Sequence, residues 1–217
     1  MSFNRNVFVN CPFDEDYGLL LQPLLFSIVY LRFTLRIALE RLNSGEARIN
    51  KIIKLITESK YAIHDLSRLR AERAGEYYRL NMPFELGVDV ACRLFKRGRW
   101  STKKCLVLEA EPYRYQAALS DLSNSDIAAH KNDPEEVVSQ VRNWLNNEAR
   151  LRAPEPNHLW GEFLEFKTDN FEMLRRRGFS DVDVEWLPVS ELITCMQRRT
   201  MTALTGMDRL RMLPEAI

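Results

Sequence analysis

The sequence predicts an α/β protein, a doubly wound, mostly parallel sheet followed by a C-terminal helical hairpin. Three observations lead there. Short runs rich in β-branched and aromatic residues, Asn6–Asn10, Tyr61–Leu66 and Lys103–Leu108, alternate with segments whose apolar residues recur at helical spacing. Strands separated by a helix are expected to be parallel neighbours, because a parallel connection needs a crossover long enough to hold one. Past the stretch Arg152-Ala-Pro-Glu-Pro-Asn157 only helical periodicity remains. The chain therefore divides into an α/β region over 1–150 and a helical extension over 151–217.

Taken in order, Asn6–Asn10 is the first strand, and it stops at Cys11-Pro12 because proline has no N–H for a central ladder. Asp14 is placed to cap the next helix, whose apolar positions are Leu19, Leu20, Leu24, Leu25, Ile28 and Leu31. Phe33 to Glu40 reads as a second strand and Asn43-Ser-Gly45 as a loop, and Ile49, Ile52, Ile53 and Ile56 form the stripe of a second helix. Tyr61–Leu66 is the third strand. The polar, weakly patterned stretch from Arg68 to Arg79 reads as a loop or short helix over the strand ends, a candidate lid. The next helix reads as largely buried from Phe84, Leu86, Val88, Val90, Ala91, Leu94 and Phe95, and the fourth strand has its apolar core behind two solvated lysines, Lys103 and Lys104. Tyr113 to Leu122 is compatible with a helix, and Ile127 to His130 with a short edge strand. Asp133-Pro134 starts a helix that runs to Arg150. Leu159–Arg177 and Pro188–Leu204 form the hairpin around Gly178 and an acidic turn, with Trp160, Phe163, Phe166 and Phe171 as its packing face.

The 217 residues and 46% hydrophobic content suffice for a substantial core. Lys and Arg number 31 against 30 Asp and Glu, a formal charge of +1, so overall electrostatics give no drive toward non-specific nucleic-acid or membrane binding. Cys11, Cys92, Cys105 and Cys195 are scattered, with no C-x-x-C pair and no histidine at ligand spacing. That argues against a zinc site, fits a reduced cytosol, and leaves the cysteines as small core residues. Neither a signal segment nor a run long enough to span a bilayer is visible, so the expectation is a cytoplasmic protein without a membrane partner. The basic clusters Arg175–Arg177 and Arg198-Arg199 fall near helix ends, where cations are favourable without any nucleic acid.

Candidate chemistry collects where strands end and helices begin, the place an α/β fold builds its sites. His64 and Asp65 interrupt the apolar third strand at its carboxyl end, and strand alternation sends them to opposite faces. Asp65 either receives the hydroxyls of a ribose or caps the loop at Ser67, and His64 reads as a satisfied structural histidine. Glu85 sits in the first turn of its helix, with Pro83 fixing the start and Gly87 removing bulk so that a ligand or backbone can approach the carboxylate. It is either a dipole-favoured first-turn residue or a catalytic group. Asn10 and the turn Cys11-Pro12-Phe13-Asp14 lie at the end of the first strand, where a loop can contact a nucleobase or phosphate. No G-x-G-x-x-G or P-loop sequence is present.

Val7-Phe-Val-Asn-Cys-Pro-Phe-Asp14, Ala62-Ile-His-Asp-Leu-Ser67 and Asn81-Met-Pro-Phe-Glu-Leu-Gly87 together resemble the nucleoside 2-deoxyribosyltransferase and TIR-like nucleotide-binding families, in particular bacterial TIR-like proteins found among antiviral defence genes. The resemblance covers roughly residues 5 to 110. It implies a flavodoxin/TIR-like sheet and cleavage of an N-glycosidic bond, with Glu85 at the anomeric carbon and Asp65 orienting sugar or base. Substrate binding would fall to Asn10, Cys11, Pro12, Phe13, Asp14 and Asn81. It implies no metal and no cofactor, NAD or NADP being a possible substrate. The partners it implies are a nucleotide or nucleoside, a second copy of the chain or a defence-system protein, and nucleic acid only through such a partner. The chain departs from both families just before Glu85: Met82 stands where TIR NADases commonly carry tryptophan, and Met82-Pro83 where the transferases show Gly-Thr. A regulated NAD or nucleotide glycosidase, a non-catalytic sensing or docking module and a housekeeping nucleoside transferase are the competing readings.

Overall fold

A computed structural model describes residues 2–14, 17–40, 45–68, 80–112, 114, 119 and 127–203. All but Arg68 of the expected lid over 68–79, most of the helix expected over 113–122 and most of the loop before Gly45 lie outside the described residues. Five strands, β1 (Asn6–Asn10), β2 (Thr34–Ile37), β3 (Tyr61–Asp65), β4 (Lys104–Glu109) and β5 (Ile127–Ala129), form one sheet in the order β2-β1-β3-β4-β5. All four pairings are parallel. The helices are α1 (Gly18–Tyr30), α2 (Arg48–Thr57), α3 (Asn81–Phe95), α4 (Pro134–Glu148), α5 (Pro156–Arg176), α6 (Asp181–Glu185) and α7 (Val189–Ala203). The second strand is shorter than its apolar run suggests, because Ala38–Glu40 turns into a 3-10 helix.

Alternation along the strands separates two faces. Val7, Val9, Tyr61, Ile63, Leu106 and Leu108 pack with α1 and α4. Phe8 and Ala62 pack with Ile52, Leu55 and Ile56 of α2 and with Cys92 of α3, and Val107 packs with Met82 and Leu86 of α3. Both sheet faces are covered, which is why the strands read as continuous apolar runs.

Helix α1 explains the C-terminal extension. It is apolar on nearly all sides, and a helix of that kind must be covered on all sides. The sheet takes one side, and α5 and α7 take the other: Phe26 stacks on Phe166 at 5.2 Å and meets Phe163 at 5.5 Å. One continuous apolar cluster runs from Val7 in β1 to Met196 in α7. The stretch between α4 and α5 is pinned as well, since Arg142 donates to the carbonyls of Ala153 and Pro154 and Asn146 accepts from the N–H of Ala153. Arg199 ties α7 to α5 through Glu165 at 2.8 Å and Asp169 at 3.2 Å. Asp133 caps α4 by accepting from the N–H of Glu135, as its sequence leads one to expect.

Several apolar assignments move. Leu19 and Ile49 are exposed, and Phe171 points away from the packing face that Trp160, Phe163 and Phe166 share. On α3, Phe84, Leu94 and Phe95 are 57%, 64% and 82% exposed. The buried stripe is Met82, Glu85, Leu86, Asp89 and Cys92, with Val88 and Val90 partly buried beside it.

Replacing Phe26 by alanine should cost about 3–5 kcal/mol, because it empties the ring stack between α1 and α5. Phe171→Ala should change stability by less than about 0.5 kcal/mol. Urea denaturation of the two variants checks the contrast.

Candidate functional site

In the strand order 2-1-3-4-5 the connections diverge between β1 and β3, and ligands of open α/β sheets bind outside the carboxyl ends of the strands at that switch point. Asn10 ends β1 there and Asp65 ends β3, while the start of α3 crosses the same edge: Asn10 Nδ2 donates to the carbonyl of Met82 at 2.9 Å.

The inward stripe of α3 carries two carboxylates one turn apart, and their surroundings differ. Asp89 is paired with Lys103 Nζ at 2.9 Å and with His64 Nε2 at 3.3 Å. Burial alone would raise its pKa, but His64 and Lys103 outweigh that and hold it below the usual value. Glu85 is 6% exposed, and among the described residues its carboxyl has no hydrogen-bond or ion-pair partner. Burial raises its pKa to about 7, against a small opposing pull from Arg48. Two titratable groups pushed apart by their environments mark a candidate site.

Two features expected around Glu85 differ. The helix begins at Asn81, so Pro83 lies inside the first turn and Glu85 in the second. The helix dipole falls off within the first turn, and the dipole reading of Glu85 loses its main support. A Cβ on Gly87 would meet nothing within 4 Å among the described residues, so no close approach there requires that glycine.

Asn10, His64, Asp89 and Lys103 form a buried polar chain on the α3 side. Asn10 Nδ2 donates to His64 Nδ1 at 3.0 Å, which leaves the proton on Nε2, facing Asp89. Lys103, expected to be solvated, is 2% exposed and also donates to the carbonyls of Ile56 and Ser59. His64 is satisfied at both nitrogens, a structural histidine.

Asp65 lies on the other face. It pairs in register with Leu108 and points toward α1, away from α3. Its Oδ2 accepts from the Tyr17 hydroxyl at 2.5 Å and lies 3.3 Å from His130 Nε2, and its Oδ1 accepts from the Ser67 N–H at 2.8 Å. His130 Nδ1 accepts from the N–H of Asn132, so Nε2 carries the proton that faces Asp65. Burial pushes the Asp65 pKa up, yet these contacts outweigh it and hold the group below its ordinary value. With 0% exposure and both oxygens engaged, Asp65 ties the ends of β3 and β5 to the start of α1. Glu85 and Asp65, which the resemblance assigns to one substrate, therefore project from opposite faces of the sheet.

Of the remaining candidates, Cys11 and Pro12 are buried, and Cys11 sits in the main core with its thiol pushed well up by burial and then by Asp65, Glu85 and Asp14. A thiol so disfavoured as thiolate is no nucleophile. Phe13 packs against the same core. Asp14 accepts from the N–H of Tyr17 at 3.0 Å and so serves the start of α1. Asn81 is exposed at the first residue of α3. Among the strand-closing carboxylates, one is absent from the candidates that the sequence offers. Glu109, 0% exposed, closes β4 on the α3 side, two residues beyond Val107. Burial raises its pKa, against hydrogen bonds from Arg114 and the N–H of Ala110. The available signal was a carboxylate closing an apolar strand, the same signal that singled out Asp65. Among the described residues no group of three or more His, Cys, Asp or Glu is placed to hold a metal ion, and no helix is long and apolar enough to cross a membrane.

Two predictions follow the carboxylates. The unfolded chain releases the Glu85 proton near 4.5 and the folded chain near 7, so between those values the folded state binds more protons and stability falls as pH rises. Glu85→Gln should raise stability by on the order of 2 kcal/mol at about pH 8 and leave it unchanged at about pH 4. Thermal melts at both values check this. Asp89→Asn should cost about 3 kcal/mol, because it strands the buried Lys103 charge, measured by urea denaturation at neutral pH.

Comparison with protein-family models, curated proteins and solved structures finds no match to this chain.

Proposed function

We propose that this chain cleaves the N-glycosidic bond of a nucleotide or nucleoside, with Glu85 as the carboxylate at the anomeric carbon and NAD or NADP as the best-fitting substrate. The observation that carries this reading is the buried Glu85 carboxyl, without a hydrogen-bond or ion-pair partner among the described residues, on the helix that crosses the switch point of the sheet. N-glycosidic cleavage passes through an oxocarbenium-like sugar, whose positive charge a carboxylate can stabilise or trap covalently. A desolvated carboxylate interacts with that charge more strongly than a hydrated one.

The leaving group decides between substrates. A neutral purine or pyrimidine usually needs a proton to depart. Asp65 is held in its ionised form and enclosed, and Asp14 is committed to the start of α1, so neither supports an acid role. Nicotinamide needs no proton: the C–N bond pair returns to the ring nitrogen, the pyridinium leaves neutral, and its charge passes to the sugar. Water then adds at the anomeric carbon and releases one proton. A cationic ring also brings the counter-charge that Glu85 lacks. The setting, a regulated effector in bacterial antiviral defence working as an oligomer or with a partner, rests on the family resemblance.

A pKa near 7 favours one further reading, in which Glu85 holds its proton and donates it to the base of a nucleoside. The test is incubation of the purified chain with NAD, NADP and a nucleoside panel, alone and with its candidate partners. Glu85→Gln should lower turnover at least about 100-fold while the protein stays folded. If Glu85 acts as a carboxylate, the rate rises with pH through about 7; if it acts as an acid, the rate falls there. Turnover unaffected by Glu85→Gln, or no turnover of any substrate under any of these conditions, overturns the proposal.

A further inference from the structure

Three side-chain atoms at the candidate edge are buried and have no hydrogen-bond partner among the described residues: Asn10 Oδ1 at the end of β1, Ser67 Oγ just past β3, and Glu109 Oε2 at the end of β4. Their residues are 2%, 6% and 0% exposed. The strands β1, β3 and β4 are consecutive in the sheet, about 4.8 Å apart, so the three residues lie along one carboxyl edge of adjacent strands. Asn10 and Glu109 also share a face. Asn10 is in register with His64, His64 with Val107, and Glu109 follows Val107 by two residues, which puts both on the side where α3 carries Glu85.

Native proteins leave few buried polar atoms unpaired, and those they do leave call for a physical explanation. Here the geometry is braced around the unpaired atoms. Arg114 Nη2 donates both to the Ser67 carbonyl and to Glu109 Oε1, each at 2.5 Å, and the N–H of Ala110 reaches the same Oε1 at 2.8 Å. Glu109 Oε2 is thus the oxygen left over, and Ser67 is held beside it. Two of the three unpaired atoms, an amide oxygen and a carboxylate oxygen, only accept when Glu109 is ionised. With Glu85 alongside, such an edge repels a phosphate and matches hydroxyl donors.

We propose that Glu109 Oε2 and Ser67 Oγ bind the vicinal 2′- and 3′-hydroxyls of a ribosyl ligand, with Asn10 Oδ1 taking a further donor of the same molecule. The site then selects ribosyl over 2′-deoxyribosyl substrates. This inference rests on the glycosidase reading and narrows its substrate class.

The test is equilibrium binding to the full chain carrying Glu85→Gln, so that turnover does not consume the ligand. Nicotinamide riboside and adenosine are each compared with their 2′-deoxy counterparts. The ribosides should bind at least about tenfold more tightly, because a site built around a hydroxyl rejects the analogue that lacks it. Adding Glu109→Gln keeps an acceptor for Arg114 and Ala110 but replaces the free oxygen by a donor, and should bring the ratio close to one. Ser67→Ala provides the same reading should the Glu109 variant not fold. Equal binding of the two sugars, or a ratio that neither variant changes, overturns the inference. If turnover by the unsubstituted chain persists alongside equal binding, only the diol inference falls; if neither sugar binds, the glycosidase reading falls with it.

Discussion

A buried carboxyl group on the inward stripe of a helix, with no hydrogen-bond or ion-pair partner among the described residues, is the constraint on which the candidate site depends. The 3.6-residue period of α3 sends Met82, Glu85, Leu86, Asp89 and Cys92 to one side, toward the sheet. Asp89 is balanced there by a buried lysine and a histidine. Glu85, one turn earlier, has no such partner among the described residues, and burial raises its pKa to about 7 against a pull from Arg48. Burying an unpaired ionisable group is costly, and folds retain one where a ligand uses it.

The two faces of the sheet divide the remaining work. On the α1 and α4 side the core is large, continuous and shared with α5 and α7, so that side acts as a rigid block. Asp65 belongs to that block: through Tyr17, Ser67 and His130 it joins α1, the end of β3 and the end of β5. On the α3 side the apolar clusters are smaller, and near the strand ends they give way to Asn10, Glu85 and Glu109. Such a division suits a binding site, since groups that must keep their geometry without a ligand need a stiff support behind them.

Much of the architecture was readable from the chain. Fully covered parallel strands produce unbroken apolar runs, and Asn6–Asn10, Tyr61–Asp65 and Lys104–Glu109 are such runs. Asp133 and Pro134 announce a helix start by local chemistry alone. Boundaries set by tertiary packing were less legible. Phe84, Leu94 and Phe95 look like core residues by type but fall outside the inward stripe, and composition cannot show that without the helix phase. Lys103 was read as solvated because lysines flanking a strand usually are; its burial depends on Asp89, which reaches it only through folding of α3 against β4.

The site was legible in place more than in detail. That strand ends at the switch point would carry polar groups follows from topology, and Asn10, Asp65 and Glu85 were named on that ground. Which of two strand-closing carboxylates serves the α3 side is a matter of a single residue of register. Asp65 is in register with Leu108, which faces α1, and Glu109 comes one position later and so faces α3. The period-two rule that separates His64 from Asp65 therefore separates Asp65 from Glu85 as well, once α3 is known to cover the face that His64 shares with Val107. An acidic residue at a strand end has its role set by parity as much as by position. By that criterion Glu109, with one oxygen braced and the other without a partner among the described residues, leaves an acceptor on the α3 side, whereas Asp65, fully engaged, acts as a structural tie.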